Sequence, residues 1–316
     1  MAKVSTFAAP HFTNDEDARK MLESILWPEG PVCPHCGVVG HSYATKRAGV
    51  YRCAESVCRK DFTVTMRTVM ERSKIALHKW LQAFHLMSSS KKGISAHQLH
   101  RTLQIGYEAA WFMTHRIREA MRDGGLAPLG GEGKVVEADE TYFGPVAKDK
   151  VRKVTTSGRP FTKAGRTGPS NKRAIVSLVE RGGNVRSFHV AVADAPSVAA
   201  IVNENILRET RLHTDESRLY TRVGVEFANH ETVNHSAKEY ARGDVTTNSV
   251  EGFFSIFKRG MKGNYQHCAE KHLHRYLAEF DFRFNHRTAL GFTDGERTTL
   301  AVKNASGKRL TYRQPN

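Results

Sequence analysis

Four of the five cysteines fall between residues 33 and 58, as Cys33-Pro-His-Cys36 and Cys53-Ala-Glu-Ser-Val-Cys58. Two close thiolate pairs are what a tetrahedral Zn²⁺ asks of two tight turns joined by a small hairpin. Four thiolates leave no open coordination position, so the expected metal is structural, and His35 and His41 are not needed as ligands. Pro34 and Gly37 suit the first turn, and Tyr43 and Tyr51 are expected to cover a site too small to own a core. Five cysteines are too few to staple a chain of 316 residues with disulfides, and Cys268, standing alone, reads as a packed or surface thiol.

A metal ribbon accounts for little of this length, so two or three folding units are expected. Before the ribbon, residues 14–27 read as an amphipathic helix capped by Asn14 or Asp15, with Ala18, Met21, Leu22 and Ile25 on one face, ended by Pro28, Gly30 and Pro31. After it, a mostly helical stretch runs from about Leu77 to Arg122. Within that stretch SAHQLHRTL, QIGY and EAAWFMTHRIREAM resemble a helix-turn-helix, with Ser95 as cap and Gly106 in the turn. In such a unit the second helix enters the major groove, which makes Arg116, Arg118 and Arg122 candidates for DNA contact; a plain helical hairpin is the alternative. The balance of 48 Lys+Arg against 32 Asp+Glu, a net +16, favours a polyanionic partner. Nucleic acid, which the helix-turn-helix reading narrows to double-stranded DNA, is expected rather than a membrane: there is no run of about 18 apolar residues, and the N-terminus lacks the layout of a secretory signal. A cytoplasmic protein is expected.

The linker DGGLAPLGGEG marks the main boundary, and the pattern beyond it turns to strands. KVVEAD reads as a short strand, AIVSLV as a buried one, and RGGN as a turn into VRSFHVAV, where Phe188, Val190 and Val192 alternate. Asp194 and Pro196 open a helix carrying Val198, Ile201, Val202 and Ile206, and RLHTD is a short strand. Two further helices are predicted over 248–260 and 270–287, the latter with Leu273, Tyr276, Leu277, Phe280 and Phe284 inward. Between the first two strands, residues 145–172 are rich in Lys and Arg and nearly free of large apolar residues, so a mobile basic loop that contacts DNA is expected.

Two predicted strands of one sheet each deliver an aspartate at their C-terminal ends: Asp139 in VEADETYFG and Asp215 in LHTDES. Neighbouring carboxylates repel unless cations lie between them, and Mg²⁺ favours a few carboxylates plus phosphate oxygens. In NSVEGFFSIFKRG, Glu251 and Lys258 stand seven apart on one helical face, with Arg259 beside them, so a carboxylate and a cation face one groove. Asn248 either caps this helix or reaches the metal.

These motifs, with LWPEGPVCPHCG, YRCAESVCRKDFTV and KHLHRYLAEFDFRFNHR, resemble the bacterial insertion-sequence transposases of the ISXO-like type over most of the chain. The resemblance implies an α/β, RNase H-like catalytic domain, a mixed sheet flanked by helices, behind an N-terminal zinc ribbon and a helical, helix-turn-helix-like segment. The expected parts are an N-terminal helix (1–30), the ribbon (31–68), a helical DNA-binding segment (69–124), the catalytic domain (132–290) and a C-terminal tail (291–316). It further implies an Asp-Asp-Glu or Asp-Asp-Asn site: Asp139 and Asp215, with Glu251 favoured over Asn248, binding Mg²⁺ or Mn²⁺, and Lys258 and Arg259 near the DNA backbone. Such a site cleaves the element's ends and joins them to target DNA, so a homodimer or larger assembly on DNA is expected. A zinc-ribbon DNA-binding regulator and a nuclease without strand transfer are the alternatives. One departure from the usual ribbon is the four-residue gap between Cys53 and Cys58, where two residues are usual.

Overall fold

The computed structural model describes residues 6–122, 124, 127–145 and 172–311. All but the end residues of the basic stretch 145–172 lie outside them. The chain forms two compact units, one of Gly124–Asn285 and one built from the two flanking stretches, Met1–Asp123 and His286–Asn316.

The flanking unit opens with α1, Asp15–Leu26, whose N-terminal donors are met by the Asn14 side chain accepting from Glu16 and Asp17 N–H, with acids filling the first turn. The ribbon follows as an antiparallel sheet of β1 (Ser42–Ala44), β2 (Tyr51–Cys53) and β3 (Asp61–Phe62). Then come α2 (Leu77–Ser89), α3 (Ala96–Leu103) and α4 (Tyr107–Met121). Ser95 caps α3 as expected, and Gly106 opens α4.

Two arginines expected to meet DNA do not reach the surface. Arg116 and Arg118 are buried because nearly all of α4 beyond its first turn packs inside the unit. The Arg116 guanidinium lies over the rings of Trp80 and Phe112, at 5.7 and 5.2 Å, and donates to the Glu71 carbonyl. Arg118 donates to Thr114 Oγ1 at 3.1 Å.

The second unit is built on a five-stranded sheet of β4 (Val135–Pro145), β5 (Lys172–Glu180), β6 (Val185–Val190), β7 (Arg211–Asp215) and β8 (Asn229–Val233), ordered β6-β5-β4-β7-β8. The first three are antiparallel, while β7 and β8 run parallel to β4, which is the RNase H-like arrangement of a mixed sheet. α5 (Ala195–Asn205), capped by Asp194, connects β6 to β7, and α6 (Thr221–Gly224) precedes β8. A short hairpin, β9 (Ala241–Arg242) with β10 (Val245–Thr246), leads into α7 (Asn248–Gly260) and α8 (Leu273–Asn285).

Strand alternation sorts side chains to two cores. Val136, Ala138, Val176, Leu178 and Leu212 pack with Val198, Val202, Ile206 and Tyr220 on one face. Ile175, Val179 and Val185 pack with Val250, Phe253, Phe257, Leu273, Leu277 and Phe280 of α7 and α8 on the other. The hairpin β5–β6 and the inner face of α8 match expectation, but Val192 lies beyond β6 and is exposed. At the turn before β4, an added Cβ on Gly130 would stand 2.1 Å from Thr210 Oγ1, so only glycine lets the linker close onto β7.

After α8 the chain returns to the first unit instead of trailing off as a tail. α9 (Asp294–Lys303) starts with a capping box between Thr293 and Glu296 and buries Thr298, Ala301 and Val302. Thr298 Oγ1 lies 3.0 Å from His85 Nδ1 on α2, and Ala305 O accepts from Val69 N–H.

Candidate active site

β4 and β7 are paired in parallel from Val135↔Arg211 to Glu137↔His213 and no further. Asp139 and Asp215 therefore stand two residues beyond the last pair on neighbouring strands, and alternation puts both on the face opposite Val136, Ala138 and Leu212. β4 does not end at Asp139, as its motif suggested; it continues along β5 to Pro145, and only its β7 side opens there. Open sheets bind ligands at such a point, outside the carboxyl ends of parallel strands.

A third carboxylate joins them. One oxygen each from Asp139, Glu140 and Asp215 lies within 4.8 Å of the others. Glu140 leaves β4 toward the opposite core, where its carboxylate accepts from Tyr220 O–H at 3.0 Å and Ser217 O–H at 3.4 Å. Burial raises all three: Asp139 is pushed up to about 8, by burial first and then by Glu140 and Asp215, Glu140 is raised by burial and by Asp215, and Asp215 by burial and by its neighbour Glu216. Such crowded carboxylates suit a divalent cation, whose charge removes the repulsion.

α7 is fixed to this cluster by Glu137, a fully buried carboxylate two residues before Asp139. It accepts from Ser249 N–H (2.7 Å), Val250 N–H (3.1 Å) and Ser249 O–H (2.9 Å), so it does for the helix N-terminus what a cap does. The cap position belongs to Thr247, and Asn248 is an exposed first residue, not the cap. Glu137 is also paired with Arg181 at 2.9 Å, and Arg181 donates to the Asp244 carbonyl of the preceding hairpin.

Glu251 lies outside the three-acid cluster. Its carboxylate accepts from Thr247 O–H at 3.3 Å and stands 3.5 Å from His235 Nε2, while its charge still reaches Asp139 and raises it. Lys258 is half-buried over Phe254; burial lowers its ammonium, Asp139 opposes that, and Lys262 and Lys172 add to the lowering. Arg259 is exposed and donates to the Ser255 carbonyl. Glu216 turns away to accept from Ser236 and the His235 N–H, which orders the loop after β8 and holds this acid at about 2.

In the ribbon, the four cysteine sulfurs also lie within 4.8 Å of one another, with Sγ–Sγ distances of 3.8 Å for Cys33–Cys58 and 3.6 Å for Cys36–Cys53. Burial disfavours the Cys33 thiolate, but N–H groups of Cys36 and His35 outweigh it and bring this thiol down to about 7. The longer second gap is taken up by a turn in which Cys58 and Arg59 N–H both bond to Glu55 O, leaving Val57 exposed. His35 lies against Asp61 O and His41 against Glu55, so neither points to the metal set. Tyr51 covers the site with Trp27 and Phe62, whereas Tyr43 is exposed.

The family model of the ISXO2-like transposase domain matches residues 128–285, half of the chain. The chain belongs to the ISXO2-like transposase family. A transposase zinc-ribbon domain matches residues 13–61 of this transposase. An uncharacterized protein in transposable element ISH50 of Halobacterium salinarum is 27% identical over 279 residues, covering 86% of this chain and 91% of that one. Chains of the Mos1 strand transfer complex and of a Mos1 paired-end complex are matched at 15% and 14% identity. Those matches cover 65% and 72% of this chain and 75% and 79% of those, with TM-scores of 0.23 and 0.22; the family assignment does not depend on them. No helix among the described residues is long and apolar enough to cross a membrane.

Among this transposase's expected site residues, Asp139 and Asp215 come together, Lys258 lies within electrostatic reach of Asp139, Glu251 lies outside the three-acid cluster, and Asn248 is exposed at the start of α7. Glu137, Glu140, Arg181 and Tyr220 were not singled out. Glu137 had a signal, an acid two positions before Asp139 and so on the same buried face.

The crowding has a measurable consequence. A carboxyl held near pH 8 in the folded state but near 3.8 when unfolded makes the folded protein lose stability as pH rises from about 4 to about 8. Asp139→Asn is expected to remove that loss. Its melting temperature at pH 8, with zinc retained and no other divalent ion, should exceed the parent's by several degrees, and the gap should close at pH 4.

Proposed function

We propose that this transposase is of the DDE type, with Asp139 and Asp215 holding Mg²⁺ or Mn²⁺, Glu140 beside them, and Glu251 completing the set from α7. The meeting of three carboxylates at the open end of two parallel strands carries this reading. Bound there, divalent ions would lower the pKa of water and stabilise the leaving 3′ oxygen. In the first step a water oxygen bonds to phosphorus as the P–O3′ bond breaks and the 3′ oxygen takes a proton. In the second, that 3′ hydroxyl attacks a target phosphodiester, forming one P–O bond and breaking another, so one site serves both. Lys258 lies where it can meet the DNA backbone beside Asp139, with Arg259 at the rim. The four thiolates of the ribbon fit a structural Zn²⁺.

The test is cleavage and joining of labelled DNA bearing the element's ends in Mg²⁺ or Mn²⁺. Asp215→Ala is expected to lower both steps by at least about 10³-fold, the scale of losing preorganised charge stabilisation. Glu251→Gln should fall by a similar order, and Asn248→Ala far less; the reverse order would make Asn248 the third ligand. Cleavage without joining would indicate a nuclease, and end binding without chemistry a regulator.

A further inference from the structure

With most of α4 buried, the solvent face of the helical pair lies elsewhere. His97, Gln98, Arg101 and Thr102 of α3 are exposed, as are Gln104 in the turn and Tyr107 at the start of α4. His97, Gln98 and Arg101 fall within one helical turn of each other. The His97 and Tyr107 rings stack at 4.2 Å and 20°, which brings the start of α4 onto the same side. On the opposite side Leu99 and Leu103 are buried, and the helix has firm ends: Ser95 accepts from Gln98 N–H, and Gln104 closes it at φ 50°. Neither Arg101 nor exposed Lys91, in the loop before Ser95, has a carboxylate partner among the described residues.

We propose that α3 and the first turn of α4 form the surface on which this unit holds duplex DNA. Arg101 and Lys91 contact phosphates, and Gln98, His97 and Tyr107 face the groove. Rigid, cationic and amide-bearing, this surface offers the contacts that phosphate positioning and adenine readout need. The buried arginines of α4 keep that helix in place. The choice of DNA as partner rests on the transposase reading; the choice of surface does not.

The experiment measures binding of the full, zinc-loaded chain to a labelled duplex carrying an element end and to a scrambled duplex, across salt concentrations without Mg²⁺ or Mn²⁺. Arg101→Ala is expected to weaken both duplexes about tenfold and to lower the salt slope by about one. Gln98→Ala should weaken the end duplex more than the scrambled one. These positions are exposed, so zinc content and melting temperature should stay at the parent's values. If Arg101→Ala and the Lys91→Ala/Arg101→Ala double variant keep the parent's affinity and slope, the surface assignment is wrong. Arg101-dependent binding by a chain that neither cuts nor joins would retire the chemistry and leave the surface standing. Joining by a chain indifferent to Arg101 would do the opposite.

Discussion

Replacing Cys53 with serine, or stripping zinc with a strong chelator, is expected to unfold the ribbon. Its fully buried apolar groups are Cys33, Cys53 and Phe62, with Trp27, Val38, Tyr51, Cys58 and Met66 partly covering them. A cluster of that size cannot offset the chain entropy of three short strands, so the metal must supply the difference. Structural zinc contributes roughly 10–16 kcal/mol in small domains at neutral pH, far more than these contacts provide. The expected readings are the loss of one zinc per chain and the loss of amide protection across 51–62. Protection persisting without metal would contradict the proposal, and Cys268→Ser, with its thiol outside the metal set, should change neither reading.

Glu137→Ala should be the most damaging single change in the second unit. It strands Arg181 and three donors at the start of α7 inside a buried site, and breaking such a set from one side costs about 3–5 kcal/mol. For a unit of this size that lowers the melting temperature by roughly 10 °C. Glu137→Gln keeps an acceptor for the helix N–H groups but gives up the charge that Arg181 meets, so it should recover part of the stability. Joining activity should fall in both variants even where they are folded, because α7 carries Glu251 and Lys258 and Glu137 sets where that helix begins. A Glu137→Gln protein as active as its parent when folded would reduce Glu137 to a structural role.

Much of this was readable in advance because the features are local. The two cysteine pairs, the Asn14 and Ser95 caps, the buried run of β5 with its turn into β6, and the 248–260 helix each depend on neighbours a few residues away. What was missed depends on distant partners. Arg116 looks like a solvent charge until Trp80 and Glu71 are brought against it, and Arg118 until the rest of the unit buries α4. Glu140 looks like a residue facing away from Asp139, and the bend toward Tyr220 and Ser217 that returns its carboxylate to the cluster is set by residues some eighty positions later. β8, NHETV, is too polar to announce itself as a strand, and its place at the edge of the sheet explains that composition. The capping box at Thr293 and Glu296 was visible but fell in what read as a tail.

The return of α9 to α2 ties synthesis of the first unit to the last stretch of the message. While a ribosome is still translating residues 124–285, the segment that covers α2 does not yet exist, so that face of α2 stays open until translation has passed residue 303. A product truncated before that point is expected to leave α2 uncovered, which faster limited proteolysis of residues 77–89 than in the full chain would reveal.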